Sequence, residues 1–235
     1  MGRIISIKNN KGGVGKTFLT AQLATGLAYL EKKVLVLTSD SQNNLFNFLY
    51  DGPKQFKNGL KEEVKNGTGE YFRLRDNLLF LPLEDNKFSN QFLKDLPKFL
   101  EKCKKEYDYI LIDSTPVLKL DKVFLNESDD IVIIGFADEV TIEGMVNLLN
   151  EIDIKKVLSI VINKYKPTLI QTKYYEILKN DLKDLNINFP EPIQNLSFIE
   201  QILDKKKTIW EYNNKEAQAV QSVLLDIIRI LEKIN

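Results

Sequence analysis

The stretch KNNKGGVGKTFLTAQ, residues 8–22, places three glycines between two lysines, Lys11 and Lys16. It follows a short apolar run, RIISI at 3–7, and opens a pattern typical of a helix over 16–30. Glycines let the backbone turn tightly enough for several N–H groups to point at one anion, and a helix N-terminus adds partial positive charge. We therefore predict a strand, an anion-binding turn and a helix in succession.

Within this turn the run GGVGKT predicts contacts to a nucleoside triphosphate. Lys16 would reach the β- and γ-phosphates, and the Thr17 hydroxyl would ligate Mg²⁺. The general phosphate-loop pattern has a glycine six residues before its lysine, but this chain has Asn10 there. The sequence fits instead a variant in which Lys11 directly precedes GGVGKT. The residues expected to bind the nucleotide from this loop are Lys11, Gly12, Gly13, Val14, Gly15, Lys16, Thr17 and Phe18.

The rest of the chain alternates short apolar runs with longer helical patterns. Near-continuous hydrophobicity is typical of parallel strands covered by helices on both faces, so the alternation predicts an α/β fold with a doubly wound, mostly parallel sheet. The later predicted strands are 33–38, 78–83, 109–113, 131–136 and 157–163, and the later predicted helices are 89–104, 141–152, 170–182, 196–204 and Lys215–Ile234. We expect one domain over 1–235, with 51–76 as a surface excursion and 164–188 as a helical insertion.

Composition excludes several classes of protein. Lys and Arg together number 33, as do Asp and Glu, so the formal net charge is zero and any basic surface must be local. The chain has no histidine and one cysteine, Cys103, so it cannot form an internal disulfide, the usual zinc or iron–sulfur sites, or a Ser-His or Cys-His catalytic pair. No apolar run approaches the length of a membrane span. We expect a cytoplasmic protein.

Two aspartates follow predicted strands at the edge of the sheet where ligands bind. Asp113 ends the apolar run YILID, and Asp40 lies in LVLTSDSQNN after the second strand. Carboxylates in such places hold Mg²⁺ and position the attacking water in phosphoryl transfer. An aspartate at a strand end is also typical of a turn or a helix cap. The phosphate-loop pattern upstream favours the metal-binding interpretation for both.

Asn163 ends the predicted strand VLSIVIN and bears on which base is bound. GTPases present Asn-Lys-x-Asp at such a place, and here Lys166 stands where that aspartate would be. Lysine offers guanine no acceptor, whereas an asparagine amide can pair with adenine. The sequence therefore favours ATP as the nucleotide, with the Asn163 side chain in contact with adenine. The alternative is that Asn163 only caps a turn.

The run KGGVGKT resembles the deviant Walker A signature of the ParA/MinD family of ATPases, and the resemblance covers nearly the whole chain. It implies a P-loop fold, ATP and Mg²⁺ as cofactors, and an ATP-dependent homodimer. In that family the lysine matching Lys11 crosses the dimer interface and touches the phosphates of the ATP in the partner subunit. The resemblance thus implies that Lys16 holds its own nucleotide and Lys11 holds the neighbour's.

The resemblance also implies roles for the acidic residues. The family's Asp-x-Asp-Pro-Gln-Gly-Asn element falls at 38–44, where Asp40 matches the second aspartate and would orient the hydrolytic water. Thr38, Ser41 and Asn43 replace the first aspartate, the proline and the glycine. Asp113 matches the Walker B aspartate. The implied Mg²⁺ ligands are Thr17, Asp40 and Asp113, and the implied catalytic residues are Lys11, Lys16 and Asp40.

Members of the family use the same ATP-dependent dimerisation to bind different targets, so the surface of the protein decides which target it binds. The nitrogenase iron protein and iron–sulfur carriers need paired cysteines, which Cys103 alone cannot supply. MinD-like proteins carry a C-terminal amphipathic membrane helix with a basic face. The last predicted helix, Lys215–Ile234, has a charge-balanced polar face, so we expect it to pack on the core. A small ParA-type partition ATPase without an N-terminal helix-turn-helix domain fits best, and a MinD-like membrane-positioning ATPase is the alternative.

A ParA-type protein binds double-stranded DNA non-specifically as an ATP dimer and is released when a ParB-like or other partner stimulates hydrolysis. The resemblance thus implies association with the nucleoid, and segregation of a plasmid or chromosome or positioning of another cargo. The run DKKKTIWEY falls near the basic surface of the family. A lysine triplet is equally typical of a solvated face, and that alternative stays open. The candidate DNA contacts are Lys164, Lys166, Lys205, Lys206, Lys207 and Lys215.

Overall fold

The computed structural model describes residues 1–115 and 119–234, and these residues form one seven-stranded sheet with the order β3-β4-β2-β5-β1-β6-β7. Neighbouring strands are parallel except β3 and β4, which are antiparallel. The predicted α/β fold with a mostly parallel sheet is confirmed. The strands are β1 Arg3–Lys8, β2 Val34–Thr38, β3 Phe72–Arg75, β4 Leu78–Leu81, β5 Tyr109–Asp113, β6 Asp130–Gly135 and β7 Val157–Ile162.

Helices cover both faces of the sheet. Side chains alternate along a strand, so Ile7 of β1 packs in a cluster with the helices at 16–29 and 215–234, whereas Ile4 packs in a second cluster with the helices at 90–106 and 119–127. Burial on both faces explains why the strand sequences are apolar at nearly every position. The helices are α1 Lys16–Tyr29, α2 Leu45–Leu49, α3 Leu60–Asn66, α4 Asn90–Glu106, α5 Lys119–Glu127, α6 Glu139–Glu151, α7 Leu169–Leu182, α8 Ser197–Asp204 and α9 Lys215–Ile234.

The final helix, α9, packs on the core as its sequence predicts. Val220, Leu224, Ile227 and Leu231 are each at most 1% exposed and lie in the same cluster as residues of α1. Ile234, at the end of the helix, is 46% exposed. The apolar face of α9 is therefore used within the fold. No helix in 1–115 or 119–234 combines the length and apolar character needed to cross a membrane.

Two further segments can be compared with their predictions. The stretch 51–76 is not only a surface excursion, because it contains α3 and the antiparallel edge strand β3. The sequence of β3, FRLR, is short and alternates with arginine, as suits a strand with one polar face, so it lacks the continuous apolar run of its neighbours. The stretch 164–188 is helical as predicted, and its helix is part of the layer that covers the sheet. Helix α7 buries Tyr175, Leu178 and Leu182 in a cluster with residues of β6 and β7, and so covers one face of the sheet at that end.

Candidate nucleotide-binding site

The carboxyl ends of the parallel strands bring most of the predicted site residues to one cavity. The loop after β1 leaves the sheet between β5 and β6, a place where open α/β sheets bind ligands. The cavity there has a volume of about 530 Å³. The predicted residues that line it are Gly12, Gly13, Gly15, Lys16, Thr17, Phe18, Asp40, Asp113 and Asn163.

The loop 9–15 needs glycine at two positions. Gly13 and Gly15 have φ values of 74° and 108°, in the left-handed region that disfavours other residues. Gly15 also caps α1, and a Cβ placed on it would lie 2.3 Å from Nδ2 of Asn163. A larger residue at position 15 would therefore be strained and would also displace the amide that supports the loop.

Asn163 supports the loop from β7. Its Nδ2 donates a 2.9 Å hydrogen bond to the carbonyl oxygen of Val14, and the residue is only 4% exposed. The sequence predicts a contact between this side chain and the base, and that contact stays a prediction. The structure adds a second role, because one amide proton is already used to hold the phosphate loop against the sheet.

Lys16 lies inside the curve of the loop. Its Nζ donates to the carbonyl oxygen of Lys11 at 2.9 Å, and the residue is buried. Burial lowers the pKa of the Lys16 ammonium, against the negative charge of Asp113. A phosphate group at this position would supply the negative charge that the buried ammonium needs.

Thr17, Asp40 and Asp113 line the cavity together and offer the oxygen ligands that Mg²⁺ prefers. Burial raises the pKa of the Asp113 carboxyl to about 7, against a hydrogen bond from Thr17 and the charge of Lys16. Burial removes the water that would stabilise the ionised carboxylate, and a bound divalent cation would stabilise that form instead. The backbone N–H of Gln42 donates to Oδ1 of Asp40 at 3.0 Å and orients its carboxylate. These residues fit Mg²⁺.

Thr38, which replaces an aspartate of the family pattern, supports both acidic residues. It is buried, and its Oγ1 accepts the backbone N–H of Asp40 at 3.0 Å. The same hydroxyl donates towards the carbonyl oxygen of Asp113 at 3.2 Å. The two strand ends that carry the acidic side chains are therefore tied together at this residue.

Lys11 points away from the cavity and contacts its own chain. Its Nζ lies 2.9 Å from Oγ1 of Thr141 and 3.3 Å from Oδ1 of Asp138, and 5.6 Å from the centre of the Phe136 ring. Although burial alone would raise the pKa of Asp138, hydrogen bonds from Thr141 and Lys11 hold it below its usual value. The side chains of Lys11 and Lys16 thus have separate environments. Lys16 lies inside the cavity, whereas Lys11 contacts the N-terminus of α6.

Four apolar side chains also line the cavity, and no motif in the sequence marks them. One is Phe48 of the five-residue α2, and the other three are aliphatic side chains of α8 and the segment before it. Gln194, Asn195 and Glu200 line the cavity beside them. A flat base fits such a lining, because ligand pockets combine apolar walls with a few polar groups. Helix α8 is predicted from its periodicity, but its position over the cavity depends on the tertiary fold. The three side chains are Leu196, Ile199 and Leu203.

The lysines predicted to contact DNA lie in different environments. Lys164 lines the nucleotide cavity, and Lys166, Lys205 and Lys215 are exposed. Within the triplet, Nζ of Lys206 donates to the carbonyl oxygen of Asn47 at 2.6 Å. Lys207 lies 3.8 Å from a carboxylate oxygen of Glu211. Two of the three triplet ammonium groups therefore have partners within the chain, and the DNA contacts stay predictions.

Known proteins resemble this chain in sequence and in fold. A family model described as the CobQ/CobB/MinD/ParA nucleotide binding domain matches residues 5–209. The sporulation initiation inhibitor protein Soj of Bacillus subtilis (strain 168) is 31% identical in an alignment of 170 residues that covers 65% of this chain and 65% of Soj. A putative septum site-determining protein MinD from Emiliania huxleyi is 28% identical over 79% of this chain and 71% of its own length.

Solved structures share the fold at lower identity. A putative plasmid partition protein from Borrelia burgdorferi B31, bound to AMPPNP, superposes with a TM-score of 0.79 at 22% identity and covers 97% of this chain and 98% of its own. Apo McdA from Cyanothece has a TM-score of 0.80 at 17% identity and covers 97% of this chain and 100% of its own. At these identities the likeness shows the fold alone.

Proposed function

Because the chain belongs to the ParA/MinD family of deviant Walker A ATPases, we propose that it is a ParA-type partition ATPase. In this proposal it binds ATP with Mg²⁺, forms an ATP-dependent homodimer, holds double-stranded DNA of any sequence, and leaves the DNA when a ParB-like or other partner stimulates hydrolysis. The observation that carries the proposal is the convergence of Lys16, Thr17, Asp40 and Asp113 on one cavity at the strand edge.

In this proposal the phosphate loop and Lys16 bind the phosphates of ATP. The loop N–H groups and the N-terminus of α1 would face the phosphates, and the Lys16 ammonium would make a charge-assisted contact to the β- and γ-phosphates. Thr17, Asp113 and Asp40 would hold Mg²⁺, directly or through water. When bound, the ion supplies positive charge that offsets the charge of the phosphates.

Hydrolysis requires a positioned water, and Asp40 is the residue that we assign to this role. Its carboxylate lines the cavity and is oriented by the N–H of Gln42. The Thr38 hydroxyl also holds the backbone of Asp40, because it accepts the N–H of that residue. Positioning and electrostatic stabilisation account for most of the catalysis of phosphoryl transfer, so an anchored carboxylate at this place suits a residue that orients the attacking water.

Dimerisation would use Lys11. In the monomer its ammonium contacts Asp138 and Thr141. To reach the nucleotide of a second copy it must leave these contacts, and the triphosphate there offers more negative charge than one carboxylate. A lysine that gains a better partner only when ATP is present makes the dimer depend on the nucleotide.

The burial of the apolar face of α9 argues against this helix as a membrane anchor. A membrane-positioning ATPase of the MinD type needs an amphipathic helix with a free apolar face, and the apolar face of α9 is buried against the core. Since the net charge is zero, only a local basic patch can hold DNA, and a dimer would present that patch twice. The proposed role places the protein in the cytoplasm, on the nucleoid.

The test is binding of a random-sequence duplex and of anionic vesicles, each with and without a non-hydrolysable ATP analogue. We expect analogue-dependent DNA binding that weakens with salt, with a log–log slope of roughly −0.9 per phosphate contact. Lys16→Ala, which cannot hold the nucleotide, should bind DNA no better than the apo protein. Analogue-dependent vesicle binding with no DNA binding at low salt would support the membrane-positioning alternative.

A further inference from the structure

A buried polar network lies next to the nucleotide site, and the function proposed above does not use it. Lys8 ends β1 and Asp121 lies on α5; they are 4% and 5% exposed, and the Lys8 ammonium contacts Oδ2 of Asp121 directly. The hydroxyl of Ser39 lies 3.4 Å from Oδ1 of the same carboxylate. Oγ of Ser39 also accepts the backbone N–H of Thr115 at 2.7 Å.

The network connects the three loops that carry the site. Lys8 directly precedes the phosphate loop, Ser39 directly precedes Asp40, and Thr115 is two residues beyond Asp113. Strands β1, β5 and β2 are neighbours in the sheet, so these loops leave it side by side. The network therefore connects the loops at their bases.

The hydrogen bonds of Ser39 link the Lys8–Asp121 pair to Thr115. An ionised carboxylate only accepts, and a serine hydroxyl has one proton to give. If the Ser39 hydroxyl donates to Asp121, its lone pairs are left to accept the N–H of Thr115 at 2.7 Å and the hydroxyl of Thr115 at 3.1 Å. Burial raises the pKa of Asp121, and the adjacent charge of Lys8 opposes this effect.

We propose that Lys8, Asp121 and Ser39 are positioning residues for ATP hydrolysis, which hold the loop of Asp40 against Thr115, two residues beyond Asp113. The inference rests on the proposed function, since it concerns the rate of that reaction. Small misplacements of reacting groups cost large factors in rate, whereas the phosphates would be held by loop N–H groups and Lys16, which are not members of the network. Loss of the network should thus lower kcat and leave nucleotide affinity nearly unchanged.

The first variant is Ser39→Ala, which removes the hydroxyl and little else. We expect kcat to fall about tenfold or more, in line with the sensitivity of phosphoryl transfer to geometry, while the affinity for an ATP analogue stays within about twofold. Ser41→Ala is the matched control, because Ser41 lies two residues along the same loop and is only partly buried. It should behave as the unchanged protein does.

The second variant separates positioning from stability. Lys8→Met combined with Asp121→Leu replaces both charges by apolar groups of similar volume, a change that often leaves stability equal or higher, whereas either change alone leaves a buried charge unpaired. We expect the double variant to keep its melting temperature and to lose turnover as Ser39→Ala does. If it melts normally and turns over at the original rate, the pair is only structural and the inference is wrong.

Ser39→Ala decides the question even if the double variant does not fold, since an unchanged kcat there contradicts the inference by itself. Turnover and analogue binding of the unchanged protein are measured in the same experiment. A protein that binds the analogue and never hydrolyses ATP would contradict the proposed function, and the inference with it. Equal turnover in the protein and its variants would contradict the inference alone.

Discussion

Lys11 and Lys16 are five residues apart in one loop, but their contacts differ completely. Lys16 is buried in the curve of the loop, where burial lowers the pKa of its ammonium. The Lys11 side chain is 38% exposed and is held by the carboxylate of Asp138, itself 39% exposed. A half-exposed ion pair of this kind contributes little stability, about 0.5 kcal/mol, and so it can exchange readily for a stronger acceptor.

At the residue scale we expect Asp138→Asn to favour the dimer. The change weakens the hold of the monomer on Lys11, and asparagine remains a good N-cap for α6. Two lysines are released in each dimer, so a gain of about 0.5 kcal/mol for each should lower the dimer dissociation constant about fivefold. Light scattering across a protein dilution series with an ATP analogue measures it.

Two controls accompany this variant. Glu143→Gln removes the same charge from an exposed position on α6 and should leave the dissociation constant unchanged. Lys11→Ala should keep analogue binding by the monomer and weaken the dimer. A Lys11→Ala dimer as stable as the original would contradict the role of this lysine across the interface.

At the scale of elements, the phosphate loop depends on β7 through one side chain. Asn163 follows β7 and donates to the carbonyl oxygen of Val14, and Gly15 must lack a Cβ for the amide to fit. Removal of the amide would leave a buried carbonyl without its partner, which costs about 1–3 kcal/mol. The loop geometry is thus a property of two elements that lie far apart in the sequence.

We expect Asn163→Ala to weaken the binding of ATP about tenfold, and of inorganic triphosphate by a similar factor, because about 1.4 kcal/mol of loop support is removed. Calorimetric titration with both ligands separates the two roles of this residue. If Asn163 contacts only the base, the affinity for inorganic triphosphate will not change. If it only supports the loop, both affinities will fall by the same factor.

At the scale of the whole molecule, charge balance limits how DNA can be held. Lysine and arginine match aspartate and glutamate in number, so the molecule has no overall attraction for a polyanion. Two ammonium groups of the triplet already have partners, since Lys206 donates to the carbonyl oxygen of Asn47 and Lys207 faces the carboxylate of Glu211. Exposed Lys205 is the member that we expect to contribute most.

Changing Lys205, Lys206 and Lys207 together to Glu should remove most ATP-dependent DNA binding, and Lys205→Glu alone should cause the larger share of that decrease. The salt slope should also become shallower, by roughly 0.9 for each DNA phosphate that a lysine no longer neutralises. Fluorescence anisotropy of a random-sequence duplex across a salt series measures both effects.

The matched control is the triple change of Lys98, Lys102 and Lys105 to Glu, which alters the net charge equally at exposed positions on α4. It should leave DNA binding close to the original. If both triple variants weaken binding equally, the effect comes from net charge. If the first retains its affinity and slope, the triplet is a solvated face.

The sequence by itself determined the local features of this protein. Continuous apolar runs predict the buried parallel strands, and the glycine pattern between β1 and α1 predicts the phosphate loop, because both reflect backbone geometry and burial over a few residues. Asp40 and Asp113 are predicted for the same reason, since the carboxyl ends of parallel strands meet at one edge. The amphipathic pattern of α9 likewise predicts a helix that packs on the core.

Only the tertiary structure decided which distant residues meet. Lys11 contacts Asp138, which is 127 residues away, and Asn163 contacts Val14, which is 149 residues away. The edge strand β3 has no apolar run of its own and exists because β4 offers it a free edge. These pairings follow from the order of the strands in the sheet, and strand order depends on contacts between distant segments, which patterns of neighbouring residues do not encode.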